Sequence, residues 1–208
     1  MTYLEYKKQI EFGEYEYDKI NEYCKQLGIA WTASVWDIDS ALFMEKYKYD
    51  IPFLKIPSAA ITDLDLIHVI NTLKIPTILS GGMSTIKEVD TAIQHSLHPI
   101  GLLHCNSSYP CKDTNLDLNV IKTYKEIYPM QIGYSGHEKG YFPTLIAVAA
   151  GASIIERHFT LDKNMEGTDQ KASLEPIEFA DMVKDIYHTC AILGNKLPYV
   201  YPEEEAVK

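Results

Sequence analysis

The stretch from Ser153 to Asp162, SIIERHFTLD, begins with β-branched residues as a buried strand would, then ends on Glu156, Arg157 and His158. Side chains alternate along a strand, so Glu156 and His158 share one side and Arg157 takes the other. One apolar run earlier, YSGHE places His137 just past a strand end. Two imidazoles at neighbouring strand ends could offer neutral nitrogen donors to one divalent cation. Asp169, in the following EGTDQKAS, could bind the metal's water or a sugar hydroxyl. Each histidine alone reads more simply as a hydrogen-bonded core or loop residue. Their coincidence with two carboxylates, Glu156 and Asp169, is what argues for a site.

Lys55, inside the apolar run FLKIPS, is the second anomaly, because a lysine is rarely buried without a partner. It could meet a phosphate or carboxylate, act as a Schiff-base amine, or snorkel outward between helices. Ser34, Ser58, Ser80, Ser107 and Ser135 fall at or just beyond the ends of apolar runs. Single serines there are usually turn or cap residues; a ring of them with one lysine has the make-up of an oxyanion cradle. In LLHCNSSYP, Cys105 reads as a small core filler with no evident activating base. His104 reads as a core or supporting residue, and Tyr109 as a loop residue whose hydroxyl could contact a sugar.

These residues need elements to hold them. Apolar runs recur at 29–34, 53–58, 77–82, 100–105, 131–136 and 154–159, about 24 residues apart. Between them lie helical patterns such as DLDLIHVINTL, TIKEVDTAIQHS and EPIEFADMVKDIYHTCAIL, several opened by a plausible cap residue. Strands alternating with helices imply a parallel sheet. SGGMS lacks the spacing of a dinucleotide fingerprint, which argues against a Rossmann domain. Polar residues at six consecutive strand ends favour a TIM-type (β/α) barrel, whose active site lies on that rim. Eight units complete such a barrel, so the pattern predicts an incomplete one of six, in a single domain over residues 1–208, preceded by a tyrosine-rich helical lead-in.

Composition bounds the function. The chain has 208 residues, 46% of them hydrophobic, and a formal net charge of -10, which argues against nucleic acid as a partner while leaving room for a local basic pocket. Four scattered cysteines fit neither a metal motif nor a disulfide framework, so a reducing cytoplasm is expected. The charged, aromatic first residues form no signal peptide, and no apolar run reaches membrane-spanning length.

FLKIPSAAITD, ILSGGMST, LLHCNSSYP, IGYSGHE and IIERHFTLDKNMEGTDQKASLEP occur in this order. Together they resemble the catalytic barrel of bacterial sialic acid synthases (N-acetylneuraminate synthases) and of relatives making legionaminic and pseudaminic acids, from about Ile29 to Pro176. The resemblance implies condensation of phosphoenolpyruvate with N-acetylmannosamine or a related N-acylated amino sugar, releasing phosphate. It implies a divalent ion, manganese or magnesium, on His137 and His158, with Glu156 beside them. It makes Lys55, Ser58, Ser80, Ser107 and Ser135, and less securely Ser34, ligands of phosphoenolpyruvate, and sets Tyr109 and Asp169 against the sugar. A homodimer is implied for the full-length enzyme.

Two departures stand out. The family's acid two residues after the KIPS-type serine is Ala60 here. The family's first two barrel strands, which carry a catalytic glutamate and a second lysine, and its C-terminal antifreeze-like domain have no counterpart in the 208 residues. The competing expectations are a synthase barrel, a phosphoenolpyruvate-dependent synthase for legionaminic or pseudaminic acid, and a binding remnant that keeps the anion and metal pocket without turnover.

Overall fold

A computed structural model describes every residue except Met1, Thr2, Asn195, Lys196, Ala206 and Lys208. The chain divides into two compact units, residues 1–100 and 101–208. Both are α/β. No helix among the described residues is long and apolar enough to cross a membrane.

The first unit opens with α1 (Tyr3–Ile10), α2 (Glu14–Leu27) and α3 (Ile38–Phe43). Tyr17 of α2 packs against Trp31, Phe43 and Tyr47, with ring centroids 5.2–6.2 Å apart. The tyrosine-rich lead-in is therefore helical and is held by aromatic contacts. Next come β1 (Leu54–Ile56), α4 (Leu64–Leu73), β2 (Thr77–Ser80) and α5 (Ile86–His95). Asp63 caps α4 by accepting from the Leu66 N–H, and Leu66, Ile67, Ile70 and Leu73 bury one stripe of it. Thr85 and Glu88 close a reciprocal capping box on α5. β1 pairs with β2 in parallel, Lys55 opposite Ile78.

The expected first strand, IAWTAS, is not a regular strand. It meets β1 through one parallel bridge, Ser34 with Lys55, made by Lys55 N–H to Ala33 O (3.1 Å) and Val35 N–H to Lys55 O (3.0 Å). The Thr32 hydroxyl donates to the Phe53 carbonyl, which a continued ladder would have matched with a backbone N–H. The side chain thus replaces the next rung. Among the described residues there are five regular strands plus this bridge, rather than six full strands.

In the second unit β3 (Pro99–Cys105), which starts at the end of the first, pairs in parallel with β4 (Gln131–Gly136), and β4 with β5 (Ile154–Arg157). The intervening helices are α6 (Val120–Ile127) and α7 (Phe142–Ala149); α8 (Pro176–Leu193) and the short α9 (Pro202–Glu205) follow β5. Gly133 sits mid-β4, where an added Cβ would lie 2.5 Å from both the Ile154 carbonyl and the Leu103 side chain. Close approach of three strands explains the glycine.

Beneath the ends of β4 and β5 lies a buried ion pair. Arg157 Nη1 donates to Glu138 Oε1 at 2.8 Å, and both side chains are wholly excluded from solvent. Tyr134 Oη donates to Glu138 Oε2 (2.8 Å), and Thr144 Oγ1 donates to Oε1 (3.3 Å) while accepting from Arg157 Nη1 (2.9 Å). Arg157 Nη2 donates to the Glu138 and Gly140 carbonyls at 3.0 and 2.8 Å. Burial pulls the guanidinium below its ordinary pKa, opposed by the Glu138 charge. The strand alternation that puts Arg157 opposite to Glu156 and His158 thus delivers it to a specific acceptor.

Two tests follow from this packing. Arg157→Met leaves the Glu138 carboxylate buried without its counter-charge, and should lower the unfolding free energy in urea by about 3–5 kcal/mol; a loss below about 1 kcal/mol, the range of a surface pair, would show that the pair is solvated. The second concerns His104, which is buried with its Nε2 2.6 Å from the Leu116 carbonyl and whose pKa burial lowers below the ordinary 6.5. The unfolded state then binds more protons than the native one as pH falls. His104 contributes stability that is present above pH 6.5 and is lost as pH falls through its lowered folded value. His104→Gln should flatten the decline in stability between about pH 7 and pH 5, and equal slopes in parent and variant would refute this.

Candidate active site

Parallel register turns i, i+2 spacing into layers. Cys105 of β3 is opposite Ser135 of β4, and Ser135 is opposite Glu156 of β5. Two residues further along each chain come Ser107, His137 and His158, on the same side by alternation. The second layer is compact. The His137 and His158 rings have centroids 5.1 Å apart at 65°. Tyr109 stacks on His137 at 4.1 Å and 32°, and meets His158 edge-on at 5.4 Å.

The hydrogen bonds fix protonation at one of the imidazoles. His137 Nδ1 is 2.6 Å from the Asn106 carbonyl oxygen. A carbonyl only accepts, so Nδ1 carries a proton, and in the neutral ring Nε2 holds the lone pair. Cys105 Sγ lies 3.8 Å from the same Nδ1, which as a proton donor cannot serve as the thiol's base; Cys105 stays a core residue, as expected. His158 Nδ1 faces Asp169 Oδ2 at 3.9 Å. The Tyr109 hydroxyl is pushed up from its ordinary pKa, first by burial and then by Cys105, Asp169 and Glu156, so at neutral pH it is an O–H donor. Four expected residues, Tyr109, His137, His158 and Asp169, therefore stand together, with Glu156 and Ser135 one layer below. Among the described residues no group of three or more histidines, cysteines, aspartates or glutamates is placed to share a metal ion; the pair His137 and His158 is the imidazole set available here.

Ser107 also lies in the second unit, its hydroxyl 3.8 Å from Cys105 Sγ, and Ser34, Lys55, Ser58 and Ser80 belong to the first. Ser34 bridges Lys55, and Lys55 is in register with Ile78, two residues before Ser80. Ser34, Lys55 and Ser80 thus share one face. Ser80 is 1% exposed, and its hydroxyl has no hydrogen-bond partner among the described residues. A buried hydroxyl left unpaired is unfavourable unless a ligand or water completes it. Ser58 instead accepts from the Gly82 N–H at 3.1 Å and opens a 3₁₀ turn through Ala60.

Sequence reasoning assigned no role to Glu138 and Arg157. Each is the direct neighbour of a candidate histidine, Glu138 after His137 and Arg157 before His158. The available signal was the charge of both at strand ends, with Arg157 on the side away from the site.

The NeuB family model matches residues 1–197. The N-acetylneuraminate-9-phosphate synthase of Drosophila melanogaster is 37% identical over 213 residues, covering 100% of this chain and 55% of that protein. The N,N'-diacetyllegionaminic acid synthase of Legionella pneumophila is 33% identical, over 93% of this chain and 56% of that one. The chain thus spans little more than half the length of either relative. The solved N-acetylneuraminic acid synthetase of Leptospira borgpetersenii, crystallised with citrate, superposes with a TM-score of 0.88 at 33% identity, over 95% of this chain and 70% of that one. A truncated 3-deoxy-D-arabino-heptulosonate 7-phosphate synthase of Thermotoga maritima shares the fold, with a TM-score of 0.76 at 18% identity. With nearly its whole length matched by one family model and by sialic and legionaminic acid synthases, this chain belongs to the NeuB family.

Proposed function

We propose that the chain forms the substrate-binding and catalytic part of a nonulosonic acid synthase that joins phosphoenolpyruvate to an N-acylated amino sugar. The observation that carries this reading is the face shared by Ser34, Lys55 and Ser80, with the Ser80 hydroxyl buried and unpaired among the described residues. An ammonium beside small hydroxyls suits an anion bearing a phosphate and a carboxylate. Ser58, Ser107 and Ser135 extend the same donor chemistry.

The sugar side falls to Tyr109 and Asp169. Tyr109 stays protonated and donates to a sugar oxygen; Asp169 accepts from a hydroxyl. A divalent ion, manganese or magnesium, suits the imidazole pair, since the hydrogen bond of His137 to Asn106 presents Nε2 as a donor. His137 and His158 would hold it with water or substrate oxygen filling the other positions, where it supplies Lewis-acid polarisation of the aldehyde. In the reaction the enol carbon forms a bond to the aldehyde carbon, whose oxygen takes up a proton; water adds to the carbon bearing the phosphate and gives up its protons, and the bond from that carbon to the phosphate oxygen breaks, leaving a ketone and inorganic phosphate. Glu156, in register with Ser135, would orient groups beneath the imidazoles and hold a proton.

Binding measurements test both halves. Titration of phosphoenolpyruvate into Lys55→Ala should show affinity weaker by about tenfold or more, the loss of one charge-assisted contact. Unchanged affinity would return Lys55 to an outward, snorkelling role. Manganese titration followed by electron paramagnetic resonance should lose its bound signal in His137→Gln, whereas a signal equal to the parent's would remove His137 from the metal site. Binding of both ligands with no phosphate release would select the binding remnant over the synthase.

A further inference from the structure

We propose that His68 and His95 form a second, surface site for one divalent transition-metal ion of the zinc class, clipping α4 to α5. His68 Nε2 and His95 Nδ1 are 3.1 Å apart, with ring centroids at 5.3 Å and planes inclined by 50°. Two nitrogens each about 2.0–2.1 Å from a shared ion lie about 2.9–3.4 Å apart for angles between a right angle and the tetrahedral angle. The observed spacing falls inside that window without moving either helix.

The pair is also pre-set. Asn71, one turn beyond His68 on α4, donates through Nδ2 to the His95 carbonyl at 2.8 Å and accepts at Oδ1 from the Leu97 N–H at 2.9 Å. One side chain thereby locks the end of α5 against α4, so the two imidazoles pay little further ordering entropy on binding. His95 is the last residue of α5, where the helix carbonyls favour a nearby cation. Without metal, one ring donates N–H to the other. With metal, each neutral ring keeps its single proton on the far nitrogen, Nδ1 of His68 and Nε2 of His95, and both facing lone pairs bind the ion. Imidazole nitrogens favour zinc, nickel and copper over the harder manganese and magnesium, which makes zinc the probe for this site. Water completes the coordination, because no third candidate ligand joins the pair among the described residues. The ion binds the folded arrangement and not the unfolded chain, so it stabilises the native state by mass action.

Equilibrium dialysis with zinc tests this in the His137→Gln/His158→Gln background, which lacks the active-site pair. One ion per chain is expected, falling to none when His68→Gln is added and staying at one when His188→Gln, which removes an exposed histidine of α8, is added instead. No bound zinc in the background variant, or zinc kept after His68→Gln, overturns the proposal. Should the double variant fail to fold, the same comparison in the otherwise unaltered chain decides: His68→Gln must lower the zinc count by one and abolish part of the zinc-induced rise in melting temperature. An unchanged count and an unchanged rise would refute the clip.

Discussion

The buried pair of Glu138 and Arg157 is the constraint on which the candidate site depends. It joins the residue after one histidine to the residue before the other, across the ends of β4 and β5. Removing two charges from water is costly, and the cost is offset only by close geometry and further hydrogen bonds to the charged groups. Here Glu138 receives Arg157, Tyr134 and Thr144, and Arg157 reaches two backbone carbonyls beside it, while its buried Nε has no hydrogen-bond partner among the described residues. Such a network tolerates few geometries, because each shift leaves a buried polar group unpaired. The separation of the two imidazole rings is therefore set from below, by groups on the side of the strands away from them.

Pleat and register do the rest. Cys105-x-Ser107, Ser135-x-His137 and Glu156-x-His158 are three i, i+2 pairs on three hydrogen-bonded strands. Parallel pairing stacks them into two layers, so a local spacing becomes a cluster of side chains. The intervening residues, Gly136 and Arg157, are themselves a register pair. An added Cβ at Gly136 would lie 2.8 Å from Glu138 Oε2 and 3.0 Å from Arg157 Cδ. The glycine leaves room for the ion pair, which in turn supports the histidines above.

Much of this was legible in the sequence, and the limits have physical causes. The alternation of strands and helices follows from local periodicity and capping residues such as Asp63 and Thr85, and the shared side of Glu156 and His158 from the pleat alone. The Glu138–Arg157 contact spans 19 residues, and nothing local to either charge names its partner. Tyr109 was visible as a loop residue, but its stacking on His137 depends on the path of the loop after β3. The missing rung at Thr32 turns on a hydroxyl competing with a backbone N–H for one carbonyl, a choice that propensity does not encode. His68 and His95 drew no attention because each is an ordinary helix-surface residue; only the packing of α4 on α5 makes them a pair.

Ala60 bears on which sugar the proposed synthase would accept. The family resemblance places a carboxylate there, and this chain has a methyl group that is 5% exposed, packed in the turn that Ser58 opens. An ionised side chain at that position would have to be desolvated or displace the turn. On the proposed reading sugar recognition would fall to Tyr109 and Asp169, both of which touch the imidazole cluster: Tyr109 through ring contacts with both histidines, Asp169 through the His158 ring. Polar recognition and metal holding would thus be parts of one cluster rather than separate devices. A substitution that reshapes sugar contacts at Tyr109 would also move the stacking partner of His137, so on the proposed reading substrate preference and metal affinity change together.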